Sequence, residues 1–581
     1  MAPLWRAITS YLLTSQATLG SPTPGGLYEK QPGGRSERDV TLSGRSNHGA
    51  VASESDLCSK IGIDILNRHG NAADALVGTV FCVGVVGMHH SGIGGGGFML
   101  VREPSGRHTA IDFRETAPAA AFEEMYSKNI NLSMTGGLAS GVPGDVAGLW
   151  ELHSRHGKLP WKQVVRPAAK VATEGWLVNE DLVSYMNSAA GTNRTGGFFV
   201  TDPQWAVDFA PNGTRLGLGD TITRKRYGKT LHKIAKYGPK AFYEGEDAEA
   251  MIRALQAQNG TMTMDDLKSY TVAVRKPLEI IYRGYTMRSC PAPASGAVAL
   301  SVLKIIEGFE DVGKPEAANI STHRLDEAMR WAYAQRSELG DPAYQSNISA
   351  FEHRMIDEQT AVEMRAKILD YSQNVSYYNP QGLEVLETHG TSHIVVADRD
   401  GMAITLTTTV NLLFGSQLVV PETGVVMNNE MNDFSVPGKS NQFGYVPSPA
   451  NFVRPGKRPL SSISPTIVEN PDGSLYFVTG AAGGSRIITG TILSIWNVLD
   501  KGMTVFEALK EPRFHDQLQP NVVQFEYDFN NETTEFMSSR DHNVTFMAPG
   551  SSAVQALRIL PNGTYEAAGE TRQKNSGGFA F

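Results

Sequence analysis

Thr391 carries the chemistry of greatest consequence in this sequence. In the stretch GLEVLETHGTSHIVVADRDG, residues 382–401, Gly-Thr-Ser-His stands immediately before a run that reads as a strand. If the peptide bond before Thr391 were cut, that residue would carry a hydroxyl and a free α-amine. An α-amine with a pKa of about 7.7–8.0 can serve as base for its own hydroxyl. Nucleophile and base then share one residue. Gly390 fits the scheme, because a residue without Cβ leaves its carbonyl open to attack by the Thr391 hydroxyl, giving an ester that water can release.

The neighbouring spacing bears on this reading. If residues 399–401, RDG, form a three-residue hairpin loop, Asp398 faces Met402 and Thr409 comes opposite Thr391. A two-residue turn at Asp400-Gly401 would instead bring Val410 opposite Thr391. The period of two puts Thr405, Thr407, Thr409 and Asn411 on one face, where a half-buried strand normally carries Val or Ile. Such a row either lines a site or faces solvent.

Three further clusters have matching chemistry. NNEMNDFS (428–435) holds Glu430 and Asp433, two carboxylates that suit an ammonium group. PGKRPLSS supplies Ser461 and Ser462, and paired hydroxyls with an arginine suit a carboxylate. GAAGGSR supplies Gly483 and Gly484, whose consecutive amides suit an oxyanion. Each is weak alone, since acidic loops are usually solvated and glycine pairs usually turn.

SGIGGGGF (91–98) matches a dinucleotide fingerprint through Gly92, Gly94 and Gly97 but fails on context. A fingerprint follows a strand and opens a helix, whereas here an apolar helix precedes the glycines and the strand-like FMLVRE follows. A tight turn with close backbone approach is the better reading. His89 and His90 lack the further spacing of a metal site, and no metal or other cofactor is expected.

The elements that must hold these residues are legible in outline. Ser53 to His69 reads as a helix ending at Gly70, and Ala72 to Val86 as a second, almost wholly apolar helix. A reversal between them sets Cys58 opposite Cys82, which favours a disulfide over two separately buried thiols. Residues 150–390 read mostly as helices. After 391, HIVVAD, MAITLTTTVN, GVVMNNE and SLYFVTGAAGG read as strands. The expectation is an α+β fold built in layers.

With 581 residues, 41% of them hydrophobic, the chain can bury a large core. A net charge of -8 without clustered basic residues argues against nucleic acid and for small-molecule partners. Three cysteines are too few for a disulfide framework. Ten Asn-x-Ser/Thr sequons, where composition alone gives roughly four, lean toward the secretory pathway. The first residues, MAPLWRAITSYLLTSQATLG, make a weak leader, and no apolar run is long enough to span a bilayer. Residues 1–46 are expected to be a signal peptide and linker.

Taken in order, ILNRHGNAADALV, SGIGGGGFML, DFRETAP, AFYEGEDAEAMI, PAPASG, RSELGDP, GTSHIVVADRDGMAITLTTTVN, NNEMNDFS, PGKRPLSSISPTI and GAAGGSRI resemble the γ-glutamyltranspeptidase family, the eukaryotic branch most, with Glu at 430. The resemblance covers nearly the whole chain from about residue 48. It implies an N-terminal nucleophile hydrolase fold, an αββα sandwich, made as one precursor that cuts itself between Gly390 and Thr391. A heavy segment, 47–390, and a light segment, 391–581, then form one heterodimeric unit.

The resemblance further implies that Thr391 forms a γ-glutamyl ester from glutathione and other γ-glutamyl compounds, passed to water or to amino acid or dipeptide acceptors. Thr409 would orient the nucleophile, and Gly483 with Gly484 would form the oxyanion hole. Arg114, Ser461 and Ser462 would hold the α-carboxylate, and Asn411, Glu430 and Asp433 the α-amine. PGKSNQFGYVPSP, from Pro437 to Pro449, stands where some bacterial members carry a lid with an aromatic tip. Either Phe443 or Tyr445 is such a tip or the segment is a plain Gly/Ser/Pro loop, as in eukaryotic relatives without an ordered lid. Extracellular, cell-surface and vacuolar fates all fit the sequons and the weak leader. Two rival readings remain: a catalytically silent relative acting as a binding protein, and another enzyme of this fold such as a β-lactam acylase.

Overall fold

Strand-forming residues that alternate between two apolar faces build the centre of the molecule. In the strand Ser392–Asp398, Ile394 and Val396 pack with one core while Val395 and Ala397 pack with another, all without solvent exposure. A strand buried on both faces needs a layer on each side. The structure, a computed structural model, describes residues 46–384, 390–438 and 446–581. Phe443 and Tyr445 lie outside the described residues.

The first sheet has seven described strands, in the order Gly577–Ala580, Gly49–Ser53, Ser392–Asp398, Ala403–Thr409, Gly96–Arg102, His108–Asp112 and Ala273–Arg275. All neighbours run antiparallel. The second sheet has six, in the order Tyr565–Ala568, Ala553–Ile559, Leu475–Ala482, Thr466–Glu469, Tyr285–Ser289 and Leu278–Tyr282. One core lies between the first sheet and the helices of the chain's first half, including Ala72–Val86 and Trp161–Glu174. The other joins the inner faces of both sheets to Gly296–Glu307, Ala318–Arg336 and Arg486–Leu499. The result is the αββα sandwich of N-terminal nucleophile hydrolases.

Strand Ser392–Asp398 pairs with Gly49–Ser53 on one side and Ala403–Thr409 on the other. Chain from both sides of residue 390 is therefore interleaved within one sheet. Among the described residues no helix is long and apolar enough to cross a membrane.

Three local readings need correction. The first helix runs Asp56–Asn67, not from Ser53, because Gly49–Ser53 is drawn into the sheet and Ser55 caps the helix in an extended conformation. GVVMNNE forms no strand; Gly424 turns the chain at φ 68°, leaving a single bridge between Val419 and Val426. Conversely, LEIIYRGYTMRS, inside the mostly helical stretch, is a hairpin of two strands. The helix Ala72–Val86 falls where expected, closed by an Asn71–Asp74 capping box. Cys58 and Cys82 are joined by a disulfide that ties this helix to the one before it.

Candidate active site

The hairpin beside Thr391 adopts the three-residue loop. Asp398 N–H donates to Met402 O at 3.0 Å, and His393 pairs with Thr407 and Ser392 with Thr408. The threonine row is buried, with Thr405 and Thr407 at 0% and Thr409 at 3% exposure, so its polarity serves partners inside the protein. Thr405 and Thr407 hold the His393 ring at 3.1 and 2.8 Å. Burial pushes that imidazole down to about 3, so it sits there neutral. Thr409 does something different: its hydroxyl donates to the Gly390 carbonyl oxygen at 3.2 Å. Asn411 N–H donates in turn to Thr409 Oγ at 2.7 Å.

Gly390 cannot be another residue without rearrangement. Its φ is +90°, and a Cβ there would lie 2.1 Å from the Asn411 carbonyl oxygen. The Thr391 hydroxyl also donates to the Gly390 carbonyl oxygen. The Thr391 hydroxyl, the Gly390 carbonyl and the Thr409 donor are thus assembled in the continuous chain. The glycine run that opens the strand Gly96–Arg102 serves close approach, as its context implied: a Cβ on Gly97 would lie 2.1 Å from Thr407 O, so only glycine lets this strand press against the threonine strand.

Arg114 follows the strand His108–Asp112 and is fully buried. Its guanidinium donates to Glu430 and, at 2.5 Å, to Asp433 Oδ2, and to the Pro459 and Leu460 carbonyls at 3.3 and 3.2 Å. Burial alone would lower the arginine pKa, but Glu430 and Asp433 outweigh it and raise it. One guanidinium cannot neutralise two carboxylates. Burial therefore pushes Glu430 well above the usual range against the pull of Arg114, and Asp433 up as well. Glu430 Oε2 and Asp433 Oδ1 are buried without a hydrogen-bond partner among the described residues. Such a cluster can exchange its internal ion pairs for those of a zwitterion, carboxylate to arginine and ammonium to the two acids.

Ser462 Oγ accepts from Arg336 Nη2 at 3.0 Å, and Ser461 Oγ accepts from Ile463 N–H at 3.2 Å. Ser295 links the pair from below, accepting from Arg336 Nε at 3.1 Å and donating to the Ser461 carbonyl at 2.5 Å. Asn411 sits at φ +71° and donates to Asn429 O at 3.0 Å. Gly483 and Gly484, at φ 126° and 60°, join the strand Leu475–Ala482 to the N-terminus of the helix Arg486–Leu499. Gly483, Gly390 and Thr391 line one cavity of about 160 Å³. The structure thus brings together Gly390, Thr391, Thr409 and Gly483 on one hand, and Arg114, Glu430 and Asp433 on the other.

Sequence reasoning passed over several supports. Arg336 and Ser295 behind the serines carried no signal beyond their motifs, RSELGDP and PAPASG. Glu115, inside DFRETAP, is buried with neither oxygen hydrogen-bonded among the described residues, and burial pushes it to about 8. Asp145 accepts from Thr408 at 2.9 Å on the opposite face of the threonine strand, and burial pushes it to about 7.

Comparison with known proteins agrees with this geometry. The gamma-glutamyltranspeptidase family model matches residues 58–579. A glutathione hydrolase proenzyme of Arthroderma benhamiae is 53% identical over 98% of this chain and 97% of its own length. A glutathione hydrolase of Aspergillus flavus is 47% identical over 91% of this chain and 89% of its own. Among solved structures, cephalosporin acylase from Bacillus halodurans superposes with a TM-score of 0.81 at 25% identity, covering 96% of this chain and 99% of that one.

Proposed function

The chain belongs to the γ-glutamyltranspeptidase family, and from that premise we propose how its residues divide the work. It is a γ-glutamyltransferase and glutathione hydrolase, as relatives at up to 53% identity across nearly the whole chain support. The rival readings are not favoured: the fold is shared with an acylase, but much higher identity lies with glutathione hydrolases.

Self-cleavage between Gly390 and Thr391 comes first. The Thr391 hydroxyl attacks the Gly390 carbonyl carbon while Thr409 donates to the developing oxyanion; the Gly390–Thr391 C–N bond breaks as its nitrogen takes the hydroxyl proton, and water then hydrolyses the ester. The new α-amine then serves as base for the Thr391 hydroxyl, which attacks the γ-amide of the substrate. Gly483 and Gly484 amides stabilise that oxyanion. Arg114, with Ser461 and Ser462, takes the α-carboxylate; Glu430, Asp433 and Asn411 take the α-amine. The γ-glutamyl ester passes to water or to an amino acid or dipeptide acceptor.

The observation that carries this reading is the convergence of the Thr391 and Thr409 hydroxyls on the Gly390 carbonyl oxygen. The product is a heavy and a light fragment held by a shared sheet. The sequons and the Cys58–Cys82 bond support passage through an oxidising secretory route to an extracellular, cell-surface or vacuolar site. N-terminal sequencing of the smaller fragment tests the proposal and should begin at Thr391. Thr391→Ala should leave one uncut, inactive chain; a cut elsewhere, or turnover by that variant, removes the basis for these roles.

A further inference from the structure

The cavity of about 160 Å³ beside Thr391 has a second wall that the roles above leave unused. His90, Tyr185, Leu413, Ser551, Ser552 and Gln573 line it together with Gly390, Thr391 and Gly483. Arg114, Glu430, Asp433, Ser461 and Ser462 are not among its lining residues. The zwitterion clamp and the lining of this cavity are therefore separate sets of residues. An acyl group held by the clamp leaves the cavity for whatever is attached to the other side of the scissile bond.

His90 is held firmly there. Its carbonyl accepts from Val410 N–H at 2.9 Å, fixing its backbone to the residue after Thr409. Its ring packs edge-on to Tyr185, with centroids 4.4 Å apart. Nδ1 lies 3.5 Å from Glu54 Oε2, and the other Glu54 oxygen accepts from the Ser392 hydroxyl at 2.7 Å. The Glu54 carboxylate thus orients one ring nitrogen and is itself tied to the residue following the nucleophile. Nε2 has no hydrogen-bond partner among the described residues. A carboxylate-backed imidazole facing the cavity of a nucleophile has the arrangement of a proton-transfer group.

We propose that His90, oriented by Glu54, exchanges a proton with the departing and the accepting amine, and that this cavity seats the part of the amine next to the reacting nitrogen. The inference rests on the self-cleaved Thr391 mechanism above. In acylation the Thr391 Oγ–C bond forms and the hydroxyl proton passes to the Thr391 amine. The C–N bond breaks, and the departing nitrogen takes a proton from the His90 imidazolium, leaving neutral imidazole. In transfer, an accepting amine forms the new C–N bond and gives a proton to His90. The Thr391 ammonium returns its proton to Oγ as the ester bond breaks. The remaining second-wall residues carry no formal charge, so the class of amine that fits is an amino acid or short peptide with an uncharged side chain.

The test uses the mature two-fragment enzyme and two donors. The nitrogen of 4-nitroaniline is far less basic than that of an alkylamine, so expulsion from a γ-glutamyl 4-nitroanilide depends much less on a proton donor than expulsion from a γ-glutamyl alkylamide. His90→Asn should lower kcat/KM for the alkylamide by on the order of 10²-fold and leave the nitroanilide within about threefold. Equal loss on both donors, or loss on neither, overturns the proposal. Should His90→Asn fail to mature, Glu54→Gln reads the same split: loss confined to the alkylamide supports it, equal loss or none overturns it. If wild-type enzyme turned over neither donor, the failure would belong to the Thr391 mechanism and not to His90.

Discussion

The hydroxyl of Thr409 lies 3.2 Å from the carbonyl oxygen of Gly390, on the far side of the hairpin from the residue it follows in sequence by nineteen positions. This hydroxyl is fixed by Asn411 N–H at 2.7 Å, so it has one lone pair engaged and its proton aimed at the carbonyl. A donor placed in advance where negative charge will develop costs no reorganisation when the bond is attacked.

Thr409→Val should therefore slow self-cleavage by on the order of 10²-fold, the usual loss for one oxyanion donor, while Thr409→Ser should stay near wild type. A time course of fragment appearance on denaturing gels reads the rate. Valine at wild-type speed would show that the carbonyl does not depend on this donor.

Arg114→Ala removes the guanidinium that touches both Glu430 and Asp433. The two acids are left buried without it. Binding of γ-glutamyl substrates should weaken by about 2–5 kcal/mol, seen as a raised KM, while the fragments still form. Arg114→Lys keeps the charge but loses the fork, so it should fall between the two. An unchanged KM in Arg114→Ala would dismiss the carboxylate role.

His393 makes the fold sensitive to acid. Its imidazole is ordinary at 6.5 when unfolded and is pushed down by burial to about 3 in the fold. Below pH 6.5 the unfolded chain takes a proton that the folded chain refuses, so this residue's stability is whole above that pH and is lost as pH falls toward 3. The loss reaches on the order of 2 kcal/mol near pH 5. His393→Gln should flatten the acid limb of a plot of thermal midpoint against pH; an unchanged slope would remove His393 as its source.

Cys58 and Cys82 close a loop of 24 residues between two packed helices. Replacing both with alanine should lower stability by about 2–4 kcal/mol, measured by denaturant unfolding, without changing where the chain is cut. Equal stability with and without the bond would mean that helix packing alone holds this corner.

Much of the site was legible before any fold was known, because its chemistry is local. Gly390 and Thr391 are adjacent, the hairpin register follows from a three-residue loop, and a threonine row with period two marks itself on any strand. Cys58 opposite Cys82 was likewise a matter of two helices and one turn. The motif set supplied Arg114 and the paired serines, which no local pattern distinguishes.

What only the tertiary structure decided are relations across long stretches of chain. Sequence left open whether the threonine row faced solvent or a partner; the second sheet covers it, and that burial is what makes His393 neutral. LEIIYRGYTMRS became strands because an edge of that sheet was there to pair with, and GVVMNNE did not because Gly424 turned it away. Glu54 and His90 are separated by a whole helix pair, and Arg336 reaches Ser462 from the end of the helix Ala318–Arg336. Such contacts depend on which surfaces pack, and packing energy belongs to surfaces assembled from distant segments, whereas turns, caps and periodicity are properties of neighbours along the chain.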